Sequence, residues 1–208
     1  MHPVHDIELP SDLTEFVPSV IEIPRGSHLK YEVDKPTGLL RLDRVLYSAV
    51  YYPANYGFIP RTHAEDGDPL DILVLMQEPV EPLTIVRARP LGGLRMVDDK
   101  GGDDKIVSVC VDDPAFAHYG AIGELPPHIM RELDRFFRDY KALEGKHSDV
   151  GEMYGKALAF EVIRRSREAY DRGERYATGV PPAAVTPSRS AARTRARATR
   201  RGGGASRP

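Results

Sequence analysis

Apolar and polar residues alternate in short runs over about a hundred positions after residue 18. β-prone runs fall at 19–23, 29–33, 39–42, 71–76, 83–89, 94–97 and 106–111, with Gly, Pro and Asp clusters between them. In Lys30-Tyr31-Glu32-Val33-Asp34, charge alternates with apolar or aromatic groups, the period of a half-exposed strand. Several short strands at this spacing predict a barrel or sandwich rather than a βαβ sheet. Further along, the period lengthens. Ile129, Leu133, Phe136, Phe137 and Tyr140 recur at helical spacing within 126–144, after a Pro-Pro pair and before Gly145. A second helix is predicted over 149–172, with Met153, Ala157, Phe160, Ile163 and Tyr170 along one stripe. Strands followed by helices make an α+β chain.

Residues 1–18 read as a polar extension punctuated by Pro, and 19–176 as one domain. The stretch 177–208 has no Leu, Ile, Met or aromatic residue, too little apolar surface to offset the cost of ordering it, and is expected to be disordered. Charge divides at the same boundary. The 208 residues carry 29 Lys plus Arg and 31 Asp plus Glu, a formal net charge of −2. The tail holds seven Arg and no acid, so the body before it stands at −9. The single cysteine, Cys110, rules out an intrachain disulfide framework and a multi-Cys zinc site, and its apolar run predicts a small buried core residue. No apolar run approaches the roughly 18 residues of a membrane span. The first residues carry early acids and no apolar signal core. A soluble cytoplasmic protein is the default expectation.

The densest chemistry is Glu65-Asp66-Gly67-Asp68-Pro69-Leu70-Asp71, running into the strand 72–76. Gly67 permits a sharp turn and Pro69 fixes its backbone, so three aspartates can converge. Carboxylates 4 Å apart repel by roughly 4 kcal/mol at an effective dielectric of 20, and a divalent cation relieves this. Oxygen-only ligands favour Mg²⁺, Mn²⁺ or Ca²⁺ over zinc, while the spacing fails the calcium-loop pattern. A second acid cluster, 98–105, joins two predicted strands and reads as a loop. Two acid loops of this kind can line one mouth of a barrel; each can equally be a solvated turn. Lys30 and Glu32 share one strand face, Arg44 ends the next strand, and Tyr52 and Tyr56 flank a turn-forming loop. Tyr140-Lys141 falls late in the first predicted helix. Carboxylates with Lys, Arg and Tyr together suit a metal-bound polyanion.

These pieces resemble the soluble family I inorganic pyrophosphatases. The matching segments are IEIPRGSHLKYEVDKPTG (21–38), LDR (42–44), YYPANYGFIP (51–60), DGDPLDILVL (66–75), RPLGGLRMVDDKGGDDK (89–105) and FFRDYKALE (136–144). The resemblance implies a five-stranded OB-like β-barrel with flanking helices, and hydrolysis of inorganic pyrophosphate to two phosphates. It implies several Mg²⁺ ions per site, with Mn²⁺ as a substitute, and a homo-oligomer, usually a hexamer in bacteria. By position it assigns Asp66, Asp71 and Asp103 to the tightest metal, Asp71 being shared with a second ion. Asp98 and Asp103 would hold a metal that arrives with substrate, and Glu22 and Glu32 would act mostly through water. Lys30, Arg44, Tyr56, Lys105, Tyr140 and Lys141 would contact phosphate. Asp68 resembles the general base, with Asp103 as the rival proton acceptor. The extension before Ser19, the region after Gly145 and the Arg-rich tail match the family poorly. Two other readings compete: a metal-dependent hydrolase of nucleotides or polyphosphate, and an OB-like nucleic-acid-binding module. The −9 body opposes the second, which leaves nucleic acid or another polyanion as a weak, salt-sensitive partner of the tail.

Overall fold

A computed structural model of the chain describes residues 1–98, 101–145 and 149–173. The Arg-rich tail expected to be disordered, 177–208, lies outside the described residues, as do Asp99 and Lys100. The strands are β1 (Val17–Ile23), β2 (Leu29–Val33), β3 (Leu40–Val45), β4 (Asn55–Phe58), β5 (Asp71–Leu75), β6 (Ile85–Asp98), β7 (Gly101–Cys110) and β8 (Asp149–Gly155). The helices are α1 (Pro127–Asp139) and α2 (Lys156–Asp171).

Five strands close on one another in the order β1-β4-β5-β7-β6, because β6 also pairs with β1 through Val17↔Ala88. Only β5–β7 is parallel within this ring. β8 adds to the far half of β6, and β2 with β3 forms a separate two-stranded arm. The α+β class and the five-stranded OB-like barrel are both present. Alternation along β5 explains why its run is apolar throughout. Leu73 and Leu75 pack in the cluster that includes Phe136 and Phe137 of α1; Ile72 and Val74 pack with Val162 and Ile163 of α2. A strand buried on both faces has no polar side. Each such side chain contributes about 1.5–3 kcal/mol of burial free energy. Cys110 is buried in the α2-side cluster, as expected.

Several expectations are corrected. The runs 83–89 and 94–97 are one 14-residue strand, β6. Its Gly92 and Gly93 do not interrupt it: a Cβ there would stand 2.3 Å from the Tyr154 carbonyl and 2.4 Å from the Tyr154 ring. Those glycines admit β8. β4 lies where a loop was expected around Tyr56, because Gly57 lets β1 approach; a Cβ would meet the Val20 carbonyl at 1.8 Å. The second predicted helix begins with β8 and becomes helical only at Lys156. Its buried face is Ala159, Val162, Ile163, Ser166 and Ala169, whereas Ala157 is exposed. α1 stops at Asp139; Gly145, at φ 68, ends a separate single turn after it. The acid cluster at 98–105 is mostly strand, since β7 begins at Gly101.

The extension at 1–18 is not solvated along its length. Val4 is fully buried against Val20, Val33 and Phe58. His5 meets the Tyr170 hydroxyl of α2 at 2.8 Å. Burial, then the His2 ring and the Arg61 guanidinium, hold His5 below the ordinary histidine value, and Asp6 opposes them. The unfolded chain therefore takes up this proton first as pH falls through about 6.5, so the stability His5 contributes is present above that value and lost below it. The expected result is a thermal midpoint that falls less between pH 7.5 and 5.5 in His5→Gln than in the wild type. Parallel curves would refute it.

Candidate active site

The arm and the mouth of the barrel face each other across a cleft of about 500 Å³. On the arm, Lys30 and Arg44 are cross-strand partners. Lys30 Nζ pairs with Glu32 on its own strand face and with Asp43 at 3.3 Å. Arg44 pairs with Asp43, and its Nε donates to Glu144 at 2.6 Å. The turn after β2 brings Lys35 to an ion pair with Asp68.

On the barrel side, β5 and β7 run parallel with Asp71 opposite Lys105. Period 2 then places Asp103 and Lys105 on the face of Asp71, Leu73 and Leu75. Lys105 is 2% exposed, and its Nζ donates to Asp71 at 2.6 Å, to Asp103 at 2.8 and 2.9 Å, and to the Tyr56 hydroxyl at 3.1 Å. Tyr56 in turn donates to Asp71. Burial alone pulls the Lys105 ammonium down, but Asp103 and Asp71 outweigh it and hold its pKa well above the lysine value. Burial pushes the Asp71 carboxyl up, with Lys105 pulling against it. Burial also raises Glu22 to about 8, although its Oε1 accepts the Val33 N–H at 2.6 Å.

The loop between β4 and β5 is built to present its acids. Thr62 is buried and its hydroxyl accepts the Leu70 N–H at 2.9 Å, while Leu70 is fully buried. Gly67 turns at φ 85 and Asp66 accepts the Asp68 N–H at 3.1 Å. Tyr140 caps α1 and stacks on Phe136, with Lys141 Nζ 5.2 Å from its ring centroid. Tyr52 stands behind Tyr56, buried in the core.

Glu22, Lys30, Glu32, Arg44, Tyr56 and Asp66 all line the cleft, as do Asp68, Asp71, Asp103, Lys105, Tyr140 and Lys141. Asp98 closes β6, and its side chain lies outside the described residues. Sequence reading passed over Lys35, Arg41 and Asp43 of the cleft, and Glu144 behind it. All but Arg41 stand inside the quoted motifs, but only folding shows that they pair with site residues. Asp104 points the other way from Asp103 and Lys105. It accepts from the Tyr154 hydroxyl at 3.1 Å and from Arg95 at 3.4 Å, and lies 3.7 Å from Arg165 of α2. Arg95 and Arg165 also reach Glu65, at 3.0 and 3.2 Å, just before Asp66.

A family model described as inorganic pyrophosphatase matches residues 19–171 of this chain. The chain belongs to that family. The soluble inorganic pyrophosphatase 2 of Chlamydomonas reinhardtii is 51% identical over 169 residues, 81% of this chain and 88% of that protein. The soluble inorganic pyrophosphatase of Oryza sativa subsp. japonica is 52% identical over 169 residues, 81% of this chain and 79% of that one. Among solved structures, the inorganic pyrophosphatase of Thermus thermophilus superposes with a TM-score of 0.78 at 42% identity, covering 81% of this chain and 99% of its own. That of Helicobacter pylori gives 0.76 at 39% identity, covering 80% and 99%. The match runs through 171, so the region after Gly145, expected to match the family poorly, falls within the family model as far as 171. β8 and α2 carry none of the motif segments quoted above, so their sequence alone does not announce the membership.

Proposed function

We infer that this chain is an inorganic diphosphatase, hydrolysing diphosphate to two phosphates. The observation that carries this reading is the cleft, where Asp66, Asp68, Asp71 and Asp103 face Lys30, Arg44 and Lys141 in a pyrophosphatase-family fold. Eight carboxyl groups and six Lys or Arg line it, so the cleft by itself offers a polyanion little net attraction. Added cations supply it. The donors are all oxygen, the set that suits Mg²⁺, with Mn²⁺ as a substitute. Among the described residues, no three His, Cys, Asp or Glu side chains gather closely enough to hold an ion as they stand. Ammonium groups hold them instead: Lys105 engages Asp71 and Asp103, Lys35 engages Asp68, and Lys30 engages Glu32. Metal entry must therefore compete with lysines.

Asp66, Asp71 and Asp103 are the proposed ligands of the tightest ion, with Asp71 shared. Asp98 and Asp103 are proposed for an ion that accompanies substrate, and Glu22 and Glu32 act through water. Bound divalent ions supply positive charge against the phosphate oxygens and acidify the attacking water. The chain's own groups do the rest. Lys30, Arg44 and Lys141, with the Tyr56 and Tyr140 hydroxyls, hold phosphate oxygens and stabilise the charge that grows on the departing phosphate. Each well-aimed donor of this kind is worth about 3–4 kcal/mol. As the water oxygen bonds to one phosphorus and the bridging P–O bond breaks, Asp68 takes the proton. Its 39% exposed carboxylate supports that role over Asp103, both of whose oxygens accept from Lys105. The three Lys105 donors are directed at Asp71, Asp103 and Tyr56, so a phosphate contact by Lys105 must displace one of them.

A homo-oligomer, a hexamer by resemblance, and a cytoplasmic location complete the reading. Among the described residues, no helix is long and apolar enough to cross a membrane. The tail at 177–208 remains a candidate for weak polyanion binding, outside the catalytic reading. The expected result in a phosphate-release assay is turnover of diphosphate that requires Mg²⁺ and exceeds that of ATP or polyphosphate. Preference for ATP or polyphosphate would overturn it.

A further inference from the structure

The cations and the carboxylates of the cleft belong to different parts of the fold. Lys30 and Arg44 stand on the β2–β3 arm and Lys35 in the turn just after β2; Asp66, Asp68, Asp71 and Asp103 stand on the barrel and its β4–β5 loop. Among the described residues the arm is a sheet of its own, with no strand ladder to the barrel. The distance between the two sides is therefore set by whatever seats the arm.

Residues 2–8 lie across that joint, ahead of the segment the family model matches. His2 Nδ1 accepts the Val4 N–H at 3.2 Å, which leaves the ring proton on Nε2, 2.8 Å from the Lys35 carbonyl. Val4 is fully buried between β1, β2 and β4, and borders the cleft itself. The Val4 carbonyl accepts the Arg61 N–H at 2.9 Å, and the His5 carbonyl accepts Arg61 Nε at 2.9 Å. Arg61 opens the loop to Asp66 and Asp68 in a left-handed conformation, φ 51, which these bonds hold. His5 stacks on His2 at 4.5 Å and on Tyr170 of α2 at 5.8 Å. One short segment thus touches the arm, the acidic loop and α2.

We propose that residues 2–8 are a clasp, with His2 and Val4 as positioning residues that seat the cationic arm over the acidic mouth of the barrel. The proposal rests on the diphosphatase reading for its kinetic consequence. An unclasped arm spends part of its time open, and only the closed fraction presents Lys30 and Arg44 to diphosphate. Apparent affinity falls by that fraction. Bound diphosphate touches both sides and closes the arm again, so the chemical step is spared.

The test uses the full chain carrying His2→Ala, His2→Gln or Val4→Ala. In His2→Ala, KM for magnesium diphosphate is expected to rise about 10-fold with kcat within about twofold of wild type. His2→Gln restores KM, because its amide N–H can still reach the Lys35 carbonyl, and Val4→Ala shifts KM in the same direction as His2→Ala. Without substrate, backbone amides of 29–45 exchange faster in His2→Ala, while those of β5 and β7 keep the wild-type rate. A KM within twofold of wild type overturns the clasp. So does a Gln variant as impaired as the Ala variant, or exchange that rises equally in arm and barrel, which marks general destabilisation. A wild-type chain without magnesium-dependent diphosphate hydrolysis overturns the enzymatic reading instead, and the exchange rates still judge the clasp.

Discussion

Asp68→Asn is expected to lower kcat by about 10²–10⁴-fold, the contribution of a positioned general base. The amide matches the carboxylate in shape but cannot take a proton from water. Its surroundings tolerate the exchange: the side chain is 39% exposed, and its backbone N–H still reaches Asp66. The exchange also gives up the ion pair with Lys35, whose side chain is 15% exposed. The Mg²⁺ titration is expected to stay close to wild type, because Asp68 is not among the proposed ligands. Steady-state turnover and a magnesium titration on the same preparation check both halves. Turnover near wild type would remove Asp68 as the base; a loss seen in Asp103→Asn alone would transfer the role there.

Lys105→Met is expected to destabilise the metal-free protein by about 3–5 kcal/mol, since it leaves buried carboxylates without their cation. Lys105 is 2% exposed and sits between Asp71 and Asp103, whose side chains are 23% and 12% exposed. The distinguishing result is the rescue. Mg²⁺ no longer competes with an ammonium for those oxygens, so it stabilises the variant more than the wild type. At 100 times the dissociation constant, one ion adds about 2.7 kcal/mol. Urea denaturation with EDTA and with saturating Mg²⁺ measures the difference. If the gap between variant and wild type is the same in both, Asp71 and Asp103 do not share a cation site with Lys105.

The motifs exposed the chemistry of the cleft better than its architecture. Asp66, Asp68 and Asp71 are legible because Gly67 and Pro69 dictate a turn within a few residues. Asp103 and Lys105 are legible as residue types, yet they read as loop, because Gly and Asp depress strand propensity and only pairing with β5 and β6 overrides it. β4 is hidden for a similar reason: Asn55 and Gly57 read as turn, and the strand exists because β1 and β5 flank it. The partners of site residues are the least legible. Arg44 meets Glu144 from 100 positions away, and Lys35 meets Asp68 from 33. Val4 looks like one apolar residue in a polar extension until β1, β2 and β4 enclose it.

The alternation on β7 has a consequence for how this chain can change in length. Asp103 and Lys105 face the cleft while Asp104 faces Arg95 and Arg165, so three consecutive residues serve two sides of one sheet. A single codon inserted just after Gly102 would exchange the two sides at once. Asp103 and Lys105 would then face Arg95 and Arg165, and Asp104 would enter the cleft. Point substitutions can test each of these residues separately, whereas a change of length within 103–105 alters the register of the strand.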